Sequence, residues 1–378
     1  MMENTKFDDI RPYGNAEIPE VILRVAQHPY FSEVIKRFFP KENFDDFKNR
    51  FLEIKTVEDF QIKVMNQIIW SIIRDTTNGL DYSGFEQLEK NKNYMFISNH
   101  RDILLDSAIL EILLNKNSFD TSEITFGSNL MQNEWVVDIG KMNKMFMLIR
   151  GGNIHDLYKN SLHVSEYMRY TITKKRQSVW IAQRNGRTKD GLDRTEMGVL
   201  KMFALSSTEN FVENLKELNI TPIAISYEYE PCDFLKVAEL LVSKYQTYVK
   251  SPGEDLNSII HGIMQPKGKV CLNVCAPIDE QELQDCARFK KNERFECLAD
   301  MIDQRIFKQY QLWKTNYIAF DMLYQNSRFY ELYTQAEKEA FEQYMNKGIS
   351  LLQGNEKELK KIFLEIYSNP VTNTMERF

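Results

Sequence analysis

From Tyr94 onward the chain repeats one pattern: a short apolar run, a polar or glycine-bearing break, then a segment with helical spacing. The runs are YMFIS (94–98), EITFGS (123–128), KMFMLIR (144–150), SVWIAQ (178–183), TPIAISYEY (221–229) and KVCLNV (269–274). Apolar runs of four to eight residues that stop at polar or glycine residues predict buried strands. Helical patterns fill the gaps, notably 154–175 and 211–218. Strands that alternate with helices need crossover connections, which predicts an α/β fold with a largely parallel or mixed sheet flanked by helices.

The chain before Tyr94 reads differently. Short helical patterns from Ile18 to Leu80 are separated by Pro29, Pro40 and the Thr-Thr-Asn-Gly at 76–79. The strongest is TVEDFQIKVMNQIIWSIIR, with Thr56 placed as N-cap and Glu58 and Asp59 in the first turn. Phe60, Val64, Ile68 and Ile72 share one face, the expected core of a smaller N-terminal helical domain. Its polar face is not strongly basic, which favours core over a membrane-binding role. Met1 to Asn15 reads as a loose tail. Beyond Arg288 come charged helical segments, 296–311 and 334–347. The expected division is 1–85 helical, 86–330 α/β, and 331–378 a helical segment packed on it.

A net charge of −6 excludes a general nucleic-acid binder, so any anion site must be local. Five scattered cysteines with no secretion signal ahead of them predict free thiols in a reducing compartment. Cys271 and Cys275 fall on a strand pattern, and no second pair or nearby histidine completes a zinc site; no metal is expected. No apolar run approaches the ~20 residues of a membrane span. The expectation is a cytoplasmic protein, peripheral on a membrane at most.

The strand-to-helix passage YMFISNHRDILLDSAILEILL (94–114) carries the first candidate chemistry. His100 is placed at the carboxyl end of a strand, where open α/β sheets bind ligands. Asp102 stands at the helix N-cap and Asp106 one turn further on the same side, so Asp106 can orient the imidazole while Asp102 caps Leu104 or Leu105. A lone histidine is more often structural than catalytic, so this passage alone decides nothing. His-Arg-Asp also evokes the kinase catalytic loop, but Ser107 stands where that loop needs Asn, and no Gly-rich loop or Asp-Phe-Gly accompanies it.

Three further stretches leave strand ends. Arg150 precedes two glycines. QRNGRTKDGLDR offers Arg184, Arg187, Lys189 and Arg194 around Gly186 and Gly191, a composition suited to phosphate. In the same loop Asp190, Asp193 and Glu196 are available to neutralise those bases. TPIAISYEYEPCD places Tyr227, Glu228 and Glu230 before a helix-opening Pro231.

Taken in order, SNH…DSA, F-x-x-x-R, VWIA…GR-x-K and PIAISYE resemble the glycerolipid acyltransferase superfamily, most of all its soluble, plastid-type glycerol-3-phosphate acyltransferases. The resemblance covers 94–233. The family's catalytic block is Asn-His, four residues, then Asp-Pro-Ala; here five residues separate His100 from Asp106, and Asp106-Ser107-Ala108 follows. Trp180-Ile181-Ala182 and Gly186-Arg187 match the family's phosphate loop, with Lys189 as its second base. The basic pair of the plastid pattern is reduced to Arg150.

The resemblance implies acyl transfer from acyl-CoA or acyl carrier protein to a glycerol phosphate hydroxyl, with no cofactor. It assigns His100 as base, Asp106 as its partner and Arg150, Arg187 and Lys189 to phosphate, with Asp102, Arg184 and Gly186 in secondary places. A 1-acyl-glycerol-3-phosphate acceptor is the alternative within enzymes. An inactive relative that binds acyl chains or acyl carrier protein is the alternative outside them, favoured by the extra loop residue.

Overall fold

The computed structural model describes residues 5–130, 133–149 and 151–375. Seven strands form a single sheet: β1 (Thr77–Ser83), β2 (Met95–Ser98), β3 (Glu123–Gly127), β4 (Met145–Leu148), β5 (Val179–Ala182), β6 (Ile220–Tyr227) and β7 (Gly268–Val274), in the order β1-β7-β6-β2-β5-β3-β4. β6, β2, β5, β3 and β4 run parallel. β7 is antiparallel to β6, and β1 is parallel to β7, so the sheet is mixed. Helices cover both faces. The fold is α/β.

All six apolar runs form strands. The side-chain alternation divides β2, β4, β5 and β6 between two cores. Phe96, Trp180, Ile223 and Ile225 face one core, where the N-terminal helices and the Leu105–Lys116 helix lie. Met95, Ile97, Val179, Ile181 and Ala224 face the other, beneath helices contributed by residues 164–172, 200–218 and 283–307. A third cluster joins Val237 to the C-terminal helices, with Phe341, Phe363 and Tyr367 at its centre.

The helix stops at Thr76, within the Thr-Thr-Asn-Gly expected to close it, but β1, which no apolar run announced, starts at once at Thr77. The hydroxyls of Thr76 and Thr77 donate to the carbonyls of Ile72 and Ile73, which closes the helix locally. β1 is an edge strand with an irregular register and mostly exposed or half-exposed side chains, so its sequence carries no apolar alternation. Residues 1–85 thus give the sheet a strand, and Ile18, Ile72, Leu110 and Trp180 lie in one apolar cluster.

The N-terminal stretch is not loose either. Phe7 and Ile10 are buried, and the Tyr13 hydroxyl donates to Asp138. Finally, Cys286 and Cys297 form a disulfide, with Cα atoms 5.5 Å apart, where free thiols were expected. Two consecutive helices bring them together, a contact that linear spacing does not announce. Cys232, Cys271 and Cys275 are free and buried.

Adjacent parallel strands β2 and β5 end side by side at Ser98 and Ala182, and their neighbour β6, whose Ile223 pairs with Ser98, runs on to Tyr227. His100, Asp102 and Asp106 belong to the segment leaving β2, and Arg184, Gly186, Arg187 and Lys189 to the one leaving β5.

Candidate active site

The loop after β2 is held by side chains standing in for backbone. Asn99 is fully buried; its amide nitrogen donates to the carbonyl of Ile225 at 2.9 Å, and its oxygen accepts from the Ile225 N–H at 2.8 Å. This double bond continues the β2–β6 ladder one residue past the strand and fixes where His100 leaves it.

His100 Nδ1 lies 2.8 Å from Oδ2 of Asp106. The same oxygen accepts from the backbone N–H groups of Arg101 (2.5 Å) and Asp102 (3.0 Å), and Oδ1 accepts from the Tyr227 hydroxyl at 2.7 Å. The carboxylate is thus the acceptor in all four contacts. An ionised carboxylate on Nδ1 selects the tautomer with Nδ1–H, which leaves a lone pair on Nε2. The ring stands edge-on to Trp180, with centroids 5.6 Å apart, and its side chain keeps 13% exposure. Burial, reinforced by Asp106, raises the Tyr227 phenol well above its ordinary value, so it remains a donor.

Asp102 is turned elsewhere. Its Oδ1 accepts from the N–H groups of Leu104 (2.9 Å) and Leu105 (2.8 Å) as expected, but from the turn before the Leu105–Lys116 helix, whose N-cap is Leu104 and not Asp102. Its Oδ2 is buried without a hydrogen bond to a described residue, against Gly262 of the Glu254–Met264 helix. A Cβ at Gly262 would come within 2.2 Å of that oxygen, so only glycine lets this helix approach. Burial first, and the Asp106 charge second, push the Asp102 carboxyl up.

The segment after β5 crosses beside the histidine. The Thr188 N–H donates to the His100 carbonyl at 2.7 Å, and the Gln183 N–H to Ser98 at 2.8 Å. Gly186 turns the chain at φ +80°, with open space where a Cβ would be. Arg187 Nη1 and Arg184 Nε are buried and make no hydrogen bond to a described residue. Lys189 is already paired, with Glu239 of the Asp233–Tyr245 helix. Arg150 lies outside the described residues. Of the acids set against these bases in the sequence, Glu196 accepts from the Asn185 N–H, while Asp193 turns inward to Arg101.

The C-terminal helix Glu356–Met375 buttresses this loop: Asn369 and Asn373 donate to the carbonyls of Asp190 and Gly191. Gly191, at φ +81°, packs so closely that a Cβ would sit 2.4 Å from the Ile366 carbonyl.

On the other side of the catalytic-looking loop is a cavity of about 840 Å³, walled by Ile103, Leu104 and Ala108 of the first turns after Asp102, by Ile69 and Phe126, and by Ile263 of the Glu254–Met264 helix. Its size and apolar lining suit an aliphatic ligand. Sequence patterning placed these residues in a core and gave no sign of the void. Glu111 also lines it, and burial lifts its carboxyl to about 7 although Ser122 donates to it twice.

The chain matches no protein-family model and no curated protein. Among solved structures it is similar to the crystal structure of the 1-acyl-sn-glycerophosphate (LPA) acyltransferase PlsC from Thermotoga maritima, at 12% identity over 79% of this chain and 97% of that one, with a TM-score of 0.37. A likeness that slight carries no argument about chemistry. The geometry has to carry it.

What the geometry brings together is a tautomer-fixed histidine, a cationic loop bonded to its backbone, and an apolar cavity behind it. Sequence reading missed Arg101, Asn99 and Lys236. Arg101 and Lys236 are charged residues in segments that read as solvent-facing, and only the fold turns them inward; Asn99 was legible as a strand-end residue but not as a ladder extension.

Proposed function

We propose that this protein is an O-acyltransferase that moves a fatty acyl group from a thioester, acyl-CoA or acyl carrier protein, to a hydroxyl of glycerol-3-phosphate. The observation that supports it most is Nδ1 of His100 on Asp106, which reserves Nε2 for a proton. A general base must reach the proton it abstracts, and this one stands at the sheet's ligand-binding edge.

In this reading the acceptor oxygen attacks the thioester carbonyl while Nε2 takes its proton. The tetrahedral intermediate collapses with cleavage of the C–S bond, and the imidazolium returns the proton to the departing thiolate. No acyl-enzyme forms. Asp106 stabilises the imidazolium as the acid of a triad does. Arg187, with its buried Nη1 in want of an acceptor, binds the phosphate, with Arg184 beside it. Lys189 must exchange Glu239 for the phosphate to take part, and Arg150 joins them in this reading. The acyl chain enters the cavity beside Ala108. Holding both substrates supplies several kcal/mol through proximity.

The test is thiol release from a long-chain acyl-CoA with glycerol-3-phosphate, with 1-acyl-glycerol-3-phosphate, and with no acceptor. Release that requires glycerol-3-phosphate is expected. Release only with the acylated acceptor reassigns the reaction to the second acylation, and no release with either, in the presence of measurable acyl-CoA binding, makes the protein an acyl-binding relative.

A further inference from the structure

The five-residue spacing between His100 and Asp106 places Arg101 in the loop, and its side chain is not in solvent. Arg101 is 1% exposed, as is Lys236; Asp193 is 1% and Glu230 3% exposed. Arg101 Nη2 bonds Asp193 and Nη1 bonds Glu230 Oε2 at 3.1 Å. Lys236 Nζ takes the other Glu230 oxygen at 2.5 Å and also donates to the Arg101 carbonyl at 2.8 Å. Two basic and two acidic side chains are thus paired in a buried site beneath the loop, with the Arg101 guanidinium 5.4 Å from the Tyr310 ring.

These charges sit on four separate segments. Arg101 belongs to the loop after β2, Asp193 to the loop after β5, Glu230 to the segment after β6, and Lys236 to the Asp233–Tyr245 helix. The backbone of Arg101 also serves the site, since its N–H donates to Asp106 Oδ2 at 2.5 Å. The loop holding Asp193 carries Arg187 and bonds the His100 carbonyl through Thr188. Stability is a poor reason for such a cluster, because buried ion pairs replaced by apolar groups of like volume often leave stability unchanged or higher. Geometry is the better reason.

We infer that Arg101 is a positioning residue: by clamping Asp193 and Glu230 at once, it sets the distance between the His100–Asp106 pair and the cationic loop that binds the acceptor phosphate. The inference rests on the acyl-transfer reading for its kinetic arm and on geometry alone for its spectroscopic arm.

The experiment uses the full chain carrying the charge-balanced pair of substitutions Arg101→Met and Asp193→Asn, with Arg101→Lys beside it. The first readout is the low-field Nδ1 proton resonance of His100, assigned by its absence in His100→Ala. The second is steady-state transfer from acyl-CoA to glycerol-3-phosphate. The inference expects the folded double variant to lose or shift that resonance. It also expects kcat to fall about 100-fold, the cost of a displacement near 1 Å, with acceptor KM raised and acyl-CoA KM unchanged. Arg101→Lys keeps the charge without the fork and should fall between. A double variant that folds with the resonance and kcat of the wild type overturns the inference. Should it not fold, Arg101→Lys decides by the same two readouts, and wild-type values there overturn the inference equally. Wild-type protein without transfer activity, but with a resonance that the variants lose, would sink the acyl-transfer reading and leave the positioning role standing.

Discussion

The two loops that meet at His100 are built on opposite principles. In the 98–106 loop Asn99 and Asp106 bond to the protein itself, Asp106 accepting four hydrogen bonds, and only Arg101 Nε and Asp102 Oδ2 are buried without a hydrogen bond to a described residue. In the 183–195 loop the buried Gln183 Nε2, Arg184 Nε and Arg187 Nη1 have no hydrogen bond to a described residue. Buried donors are rarely left so without a reason, and a ligand is one. The first loop aims its histidine from within, and the second keeps more buried donors to spare. That division suits a base that must stay aimed and a clamp that must release its product.

The sharpest way to break the contrast is at the base. His100→Ala should lower transfer ~10²–10⁴-fold with a small fall in melting temperature, since it removes one of the four donors to Asp106 and leaves the other three in place. Asp106→Asn should lower turnover comparably but also destabilise the fold, because an amide cannot accept from all four donors; loss of one buried bond costs about 1–3 kcal/mol. Thermal unfolding beside kinetics separates the two effects. Equal stability loss in the two variants, or a larger one in His100→Ala, would erase the distinction between a poised group and its anchored partner.

On the other loop the expected effect is smaller and is seen in KM. Arg187→Ala should raise the KM for glycerol-3-phosphate about 10–100-fold, the worth of a charge-assisted hydrogen bond of about 1.5–3 kcal/mol, and leave that for acyl-CoA alone. Lys189→Ala should do less, because Lys189 is held by Glu239 in the free protein. A larger effect at Lys189 than at Arg187 would mean that the clamp is centred elsewhere.

How much of this was legible in the sequence follows the same line. Strands such as YMFIS and SVWIAQ advertise themselves because both faces are buried, and the Asp102 cap follows from helix-start chemistry. Asp106 facing back to His100 was legible from helical periodicity. β1 was not, because an edge strand with Asn-Gly in it has no apolar alternation to read. Arg101 was not, because its burial depends on partners more than ninety residues away in Asp193 and Glu230, and Lys236 was not, because its second partner, the Arg101 carbonyl, is as distant in sequence. The cavity was not, because a lining residue and a packed core residue have the same sequence pattern.

The cavity wall supplies the smallest test. Ala108→Phe should shorten the preferred donor chain without altering the KM for glycerol-3-phosphate, as measured with a series of acyl-CoA lengths. Glu111 adds a pH signature. Its folded-state carboxyl titrates at about 7 instead of the usual 4.5, so the folded protein retains a proton that the unfolded chain releases between those values. Stability from this group is therefore full below about pH 4.5 and lost as pH rises to about 7, by about 3 kcal/mol at ~1.4 kcal/mol per pH unit. Glu111→Gln lacks that loss, so its melting temperature should exceed the wild type's by more at pH 8 than at pH 5. Parallel curves would place the carboxyl in contact with water.

The most direct measurement of the central claim is thiol release from acyl-CoA with saturating glycerol-3-phosphate, wild type beside His100→Ala, with the acylated product identified by mass. The account predicts acceptor-dependent release and an acyl-glycerol phosphate product in the wild type, with both reduced at least ~100-fold in the variant. Equal rates in the two proteins, or a product that forms without His100, would contradict it.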